Sequence, residues 1–235
     1  MEFTTTHWSV VLTAADPVAP DRRGAMAHLC ETYWYPLYAY VRRRGNSAHE
    51  AEELTQEFFA RLIEKEFIRN TDPEKGRFRA FLLVCLKRFL ANEWDRARAE
   101  KRGGKTSIFS IDFHDADERY RREPIDGLTA ERVFERRWAL GLLERVLAQL
   151  ADEMADSGKG RVFEKLKGYL MSEADTPTHE CAARELGLSP GAVKVRVHRL
   201  RQRYRQLLRE RIAMTLSDPG EVDDEIRRLF SALSV

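Results

Sequence analysis

A chain of 235 residues with 43% hydrophobic and 33% charged residues can bury one large core or two small ones, and is too apolar to remain disordered. Its formal net charge is only +2, so a strongly basic surface must be local and balanced by acidic stretches elsewhere. Cys30, Cys85 and Cys181 lack metal-ligand spacing and suit reduced thiols in the cytoplasm, and Met1–Leu12 has neither the basic start nor the apolar run of a signal peptide or membrane span.

Residues 1–21 are Thr-rich and then Pro-containing, and Trp8, Val10, Val11 and Leu12 predict one small packing turn. Apolar residues at Met26, Leu29, Tyr33, Leu37, Tyr40 and Val41 predict a helix from Arg22 to Arg43. Pro36 should kink it or remove one hydrogen bond. Gly45-Asn46 breaks the chain, and Ser47-Ala48-His49-Glu50 is a capping box for the next helix. That helix, Ala48 to Glu66, is expected to bury Ala51, Leu54, Phe58 and Leu62. Glu50, Glu53, Glu57 and Glu64 share its outer stripe, interrupted by Arg61. The stripe fits a solvated face or a docking surface for a basic partner. Paired catalytic carboxylates are the weakest reading, because exposed neighbours lack the burial that separates their proton affinities.

Asn70–Gly76 is a loop of turn formers. Phe78, Phe81, Leu82, Cys85, Phe89 and Leu90 then predict a helix from Arg77 to about Lys101. Along it lie Lys87, Arg88, Arg96, Arg98, Lys101 and Arg102, with Phe89 and Trp94 between them. Cations interleaved with rings suit single-stranded or melted nucleic acid, whose bases stack on aromatics. A plain amphipathic core helix fits the same pattern. After Gly103-Gly104, residues 105–128 read as an acidic tether carrying Asp112, Asp115, Asp117, Glu118, Glu123 and Asp126. Helical periodicity returns at Thr129 and continues through Trp138, Leu142, Leu143, Val146, Leu147 and Leu150. Past Ser157-Gly158, a helix over Arg161–Met171 offers Val162, Phe163, Leu166 and Leu170 to a core. No strand pattern of any length intervenes, so the chain reads as all-α, with two helical domains.

Thr178–Leu188 predicts a short helix with Ala182 and Ala183 at its centre, ending at Leu186-Gly187. Ser189-Pro190 then starts a longer helix to Arg211, with an N-cap followed by proline at the first helical position. At about 100° per residue, Val193, Val197, Leu200 and Tyr204 share one arc. The opposite arc holds Gly191, Lys194, Val195, His198, Arg199 and Gln202, flanked by Arg196, Arg201, Arg203, Arg205, Arg209 and Arg211. Eight Lys and Arg face one acid, Glu210, between Pro190 and Arg211. A short helix, a glycine turn and a basic second helix make a helix-turn-helix, whose second helix enters the major groove of DNA. The competing reading is a solvated surface helix.

Beyond it, Asp218-Pro219-Gly220-Glu221 predicts a further helix start, and Val222, Ile226, Leu229, Phe230 and Leu233 form an apolar stripe. Asp223, Asp224 and Glu225 fall in its first turns, where the helix dipole favours acids. The stripe is expected to pack on the outside of the C-terminal domain. The sharper reading lays the acidic tail beside the Arg-rich helix, in competition with DNA.

Three stretches carry a resemblance. Glu50-Ala-Glu-Glu-Leu-Thr-Gln-Glu-Phe-Phe59 resembles region 2.2 of sigma-70 family RNA polymerase sigma factors. Gly76-Arg-Phe-Arg-Ala-Phe-Leu82 with the basic helix behind it resembles regions 2.3 and 2.4, and Pro190-Gly-Ala-Val-Lys-Val-Arg-Val-His-Arg-Leu-Arg201 resembles region 4.2. With those two domains alone, the chain is similar to the extracytoplasmic function (ECF) group. The resemblance implies a region 2-like domain over 1–104, a linker over 105–128, a region 4-like domain over 129–216 and an appended helix over 217–235.

It also implies roles. Glu53, Leu54, Gln56, Glu57 and Phe58 would meet the clamp of core RNA polymerase. Lys75, Arg77, Phe78, Arg79, Arg88, Asn92 and Arg96 would serve the −10 element and its opened strand. Gly191, Lys194, Val195, Arg196, His198, Arg199, Gln202 and Arg203 would serve the −35 element. The acidic linker would thread toward the RNA exit path. Partners would be core polymerase, promoter DNA and an anti-sigma factor or other regulator, with no cofactor, no metal and no catalytic residue. Arg88 stands where the ECF group commonly has Asn, and Asn92 where Asp is usual. The opposing hypothesis is a stand-alone helix-turn-helix regulator, which would leave Glu50–Phe59 without a task. A helical enzyme is disfavoured, since no Gly-rich phosphate loop, His/Cys cluster or Ser/His/Asp set occurs.

Overall fold

The structure is a computed structural model that describes residues 8–64, 68, 71–72, 76–99, 113–123, 127–171 and 176–234. Its elements are α1 (Trp8–Ala15), α2 (Arg22–Arg43), α3 (Ala48–Glu64), α4 (Phe78–Ala99), α5 (Ala116–Arg121), α6 (Ala130–Asp156), α7 (Gly160–Leu166), α8 (Gly168–Met171), α9 (His179–Leu186), α10 (Pro190–Ala213) and α11 (Val222–Leu233), the last preceded by a 3-10 turn over Pro219–Glu221. No strand occurs among the described residues. No described helix is long and apolar enough to cross a membrane. Cys30, Cys85 and Cys181 are free thiols, and burial pushes the Cys30 pKa up to about 12, with Glu31 adding to the rise.

Two compact units emerge: Met1–Gly141 with Ile212–Val235, and Leu142–Arg211. The division falls within α6 and near the end of α10.

The first unit is built around α2, which runs unbroken through Pro36 and packs on α1 and α3. Its expected stripe is buried at Met26, Leu29, Tyr33, Leu37, Tyr40 and Val41. So are Tyr35, Tyr38 and Ala39 on the other side, so the second half of the helix is enclosed almost all round. What encloses it is the stretch read as a tether. Phe113 sets its ring edge-on to Trp34 at 5.3 Å and tilted to Tyr38 at 5.9 Å. Tyr120 lies edge-on to Tyr38. Arg42 pairs with Asp117 at 2.8 Å, and Glu123 takes both the Tyr35 hydroxyl and the Arg137 guanidinium. Burial holds the Glu123 carboxyl above its usual range despite those partners. Residues 113–123 are therefore packed structure, and among the described acids of that stretch Asp117, Glu118 and Glu123 are paired with arginines.

The tail helix belongs to this first unit, whereas its apolar stripe suggested the C-terminal domain. Its α-helical part begins at Val222, after the 3-10 turn that the Asp218 carboxylate caps through the Gly220 N–H. Arg136 donates to the Leu233 carbonyl at 2.6 Å, and the Trp8 N–H donates to the Met214 carbonyl at 3.2 Å. Val222 and Leu229 are buried, whereas Phe230, expected on the buried stripe, is half exposed.

The second unit holds the end of α6, α7, α8, α9 and most of α10. The single helix expected over 161–171 is two pieces, α7 and α8. Phe163, Leu166 and Tyr169 are buried in it, along with Leu142, Val146 and Leu150. The Tyr169 hydroxyl donates to the Pro177 carbonyl at 2.5 Å and ties the entry of α9.

Candidate nucleic-acid interfaces

In the second unit the helix-turn-helix forms by local chemistry. Thr178 caps α9 by accepting from the Cys181 N–H. Gly187 closes it at φ 64°, a left-handed conformation that costs a side-chain-bearing residue about 1–2 kcal/mol. The Leu188 N–H then donates to the Ala183 carbonyl at 2.9 Å, which turns the chain into Ser189, whose hydroxyl accepts from the Ala192 N–H. Ala182 and Ala183 are buried with Val193, Val197 and Leu200. Small residues on α9 thus seat the apolar arc of α10.

The other arc is exposed: Gly191, Lys194, Val195, His198, Arg199 and Gln202 all face solvent. Val195, 50% exposed, is an apolar residue held outside the core, where it can meet a thymine methyl. No described residue pairs with Lys194, Arg196, His198, Arg199 or Arg205. The flank behaves differently. Arg203 makes two bonds to Glu153, at 2.8 and 2.7 Å. Arg201 makes two to the Tyr169 carbonyl, at 3.2 and 2.8 Å. Arg211 is buried on Gln149. The Glu153 hydrogen bond raises the Arg203 pKa, and Arg203 in turn lowers that of Glu153. Arg203 was expected among the DNA-contacting residues. The structure pairs it with Glu153 at the surface of the unit, where it ties α10 to α6.

In the first unit the basic helix α4 presents two faces. At its start, residues expected to face DNA are committed inward. Phe78 is buried in a ring cluster with Tyr33 at 5.6 Å, Trp8 at 6.1 Å and Phe81 at 6.1 Å. Arg79 is only 5% exposed, lies 4.0 Å from the Trp138 ring centroid and pairs with Glu135 at 2.8 Å. Both it and Arg77 also reach Glu225 of α11, at 2.5 and 2.7 Å. Further along, Arg88 and Asn92 are exposed, and Trp94 is 49% exposed beneath the Arg44 guanidinium at 5.6 Å. Tyr40, Arg44, Lys87, Leu90, Trp94 and Glu131 line a hollow of about 280 Å³ there, with Lys87 paired to Glu131 at 2.8 Å. This is an open aromatic and cationic surface of the type that stacks unpaired bases. Lys75 and the Arg96 side chain lie outside the described residues.

Helix α3 carries the acidic stripe. Its capping box forms both ways: the Ser47 N–H donates to Glu50 at 2.8 Å, and the Glu50 N–H donates to the Ser47 hydroxyl at 3.3 Å. Ala51, Thr55, Phe58, Phe59 and Leu62 are buried, with Leu54 at the margin. Glu53 is exposed and Gln56 half-buried. Glu57 pairs with Arg61 at 2.9 Å, and Arg61 also holds Glu93 at 2.6 Å and lies over Phe89. Phe58, expected on the docking surface, instead packs on Phe89 at 5.7 Å. The accessible ridge is Glu53, Leu54 and Gln56, with Glu57 at its edge.

Residues the sequence reading missed are Glu225, Glu135 and Trp138 around Arg79. The signal for Glu225 was its register: it stands three residues after Val222 and four before Leu229, on the apolar stripe itself.

Residues 29–100 match the Sigma-70 region 2 family, a stretch that takes in most of α2 and all of α3 and α4. The chain therefore carries a sigma-70 region 2 domain. The helix-turn-helix lies outside that match. No curated protein and no solved structure matches the chain.

Proposed function

We propose that this chain is a sigma factor of the ECF type, which binds core RNA polymerase in the cytoplasm, directs it to a promoter and helps open the DNA. The observation that carries this reading is the region 2 match over 29–100 on the same chain as a helix-turn-helix with an unpaired basic face. The ridge of Glu53, Leu54, Gln56 and Glu57 meets a basic surface of the polymerase. Arg88, Asn92 and Trp94 on α4 meet the opened −10 strand by phosphate contact and stacking. Lys194, Val195, His198 and Arg199 read the −35 element in the major groove, with Gly191 allowing close approach and Arg196 and Gln202 at the edges. The protein supplies recognition, and polymerase supplies the chemistry. Partners beyond these include an anti-sigma factor or other regulator.

A pull-down on immobilised core polymerase tests the docking ridge. Glu53→Lys and Leu54→Asp are expected to lower retention at least tenfold while leaving the helical circular dichroism unchanged, since both change the outer face of α3. Retention equal to wild type for both variants removes α3 from the polymerase interface.

A further inference from the structure

We infer that α11 is a removable acidic plug in an anion site built by Arg77 and Arg79, and that the ligand competing for this site is the phosphate backbone of single-stranded DNA. The choice of DNA rests on the function proposed above. Glu225 is 0% exposed, and the guanidinium groups of Arg77 and Arg79 converge on its carboxylate at 2.7 and 2.5 Å. Each guanidinium reaches the carboxylate through one Nη2, and paired guanidinium groups around one anion are also how proteins hold phosphate. Most of the site is independent of its occupant. Arg79 is fixed by Trp138 at 4.0 Å and Glu135 at 2.8 Å, and Arg77 and Arg79 extend from the start of α4.

Apart from that ion pair at Glu225, the occupant is lightly attached. Of the apolar stripe on α11 only Val222 and Leu229 are buried, Phe230 is 50% exposed, and the terminal anchors are Arg136 and Arg132 on the Leu233 and Ser234 carbonyls. A 12-residue helix is marginal in water by itself, so its order depends on this docking. In the free protein α11 thus closes this anion site, and nucleic acid must displace it to reach Arg77 and Arg79.

The test is fluorescence anisotropy of a labelled single-stranded oligonucleotide on the full-length chain across a salt series. Glu225→Gln keeps the shape and removes the charge, and Leu229→Ala loosens the helix without touching a charge. Both are expected to bind on the order of tenfold tighter at low salt. The log–log salt slope should also steepen by about 0.7 for each further phosphate that the freed arginines neutralise. Adding Arg77→Ala to Glu225→Gln should return the affinity toward wild type. Unchanged affinity in both folded variants overturns the plug, as does loss of native circular dichroism in both, which would make α11 an integral part of the core. Competition by polyglutamate equal to that by the oligonucleotide would assign the site to an acidic peptide and overturn the DNA assignment. Unchanged DNA binding alongside intact transcription with core polymerase would overturn this inference alone and leave the proposed function standing.

Discussion

Arg79→Ala is expected to lower the stability of the first unit by about 3–5 kcal/mol, the usual cost of removing one partner from a buried ion pair. The side chain is 5% exposed and its removal leaves the fully buried Glu225 carboxylate with Arg77 and the more distant Arg228 at 3.9 Å. It also strips the cation from the face of Trp138 and leaves Glu135 without that partner. The charges of Glu135 and Glu225 raise the Arg79 pKa even though burial opposes them, so the guanidinium stays charged throughout the working range. The sign of the pH effect follows from Glu225, whose pKa is raised by burial more than Arg79 lowers it. The folded chain binds that proton more readily than the unfolded one, so the fold gains stability as pH falls through the raised value, while the ion pair with Arg79 is itself lost on protonation. Without Arg79 the carboxylate is harder still to keep charged, and the deficit of the variant should shrink toward acid pH. Urea unfolding followed by tryptophan fluorescence at neutral and mildly acidic pH checks both points. A loss under about 1 kcal/mol would mean that the pair is as weak as a surface ion pair.

Lys194→Ala and Arg199→Ala are expected to lose about 1–3 kcal/mol of discrimination between a −35 fragment and a scrambled one, the value of a base contact in the major groove. Both side chains are exposed and without a described partner on the face opposite Val193, Val197 and Leu200. Arg203→Ala belongs to another class. Its bidentate bond to Glu153 makes it a brace between α10 and α6. Losing it should weaken binding to both fragments alike through a less firmly held helix. Gel shifts on matched and scrambled fragments separate the cases. Equal loss on both fragments for Arg199→Ala would take it out of the base-reading set.

Local chemistry explains which parts of this molecule were readable from sequence. Helix α2 ends where Gly45-Asn46 stops it and α9 where Gly187 turns left-handed, because those choices belong to a few adjacent residues. The apolar arc of α10 was equally plain, since Val193, Val197 and Leu200 repeat at helical spacing. What stayed hidden depended on partners far along the chain. Residues 113–123 looked like a solvated acidic tether because charges outnumber their two packing rings, Phe113 and Tyr120, and because Arg42 and Arg137 are distant in sequence. Arg79 and Glu225 are 146 positions apart, and neither alone announces that the other neutralises it. A composition-based reading assigns every Arg on a basic helix to the nucleic acid. The structure divides them: Arg79 and Arg203 are ion-paired within their own units, while Arg88 and Arg199 are exposed.

Run-off transcription with purified core RNA polymerase on a pool of random-sequence linear templates tests the central claim most directly. Core polymerase with this chain should start transcripts at discrete positions that share −35 and −10 sequences, and core polymerase alone should not. Transcripts identical with and without the chain, from a protein that still shifts DNA in a gel, would contradict the sigma-factor reading and leave a helix-turn-helix regulator that acts without polymerase.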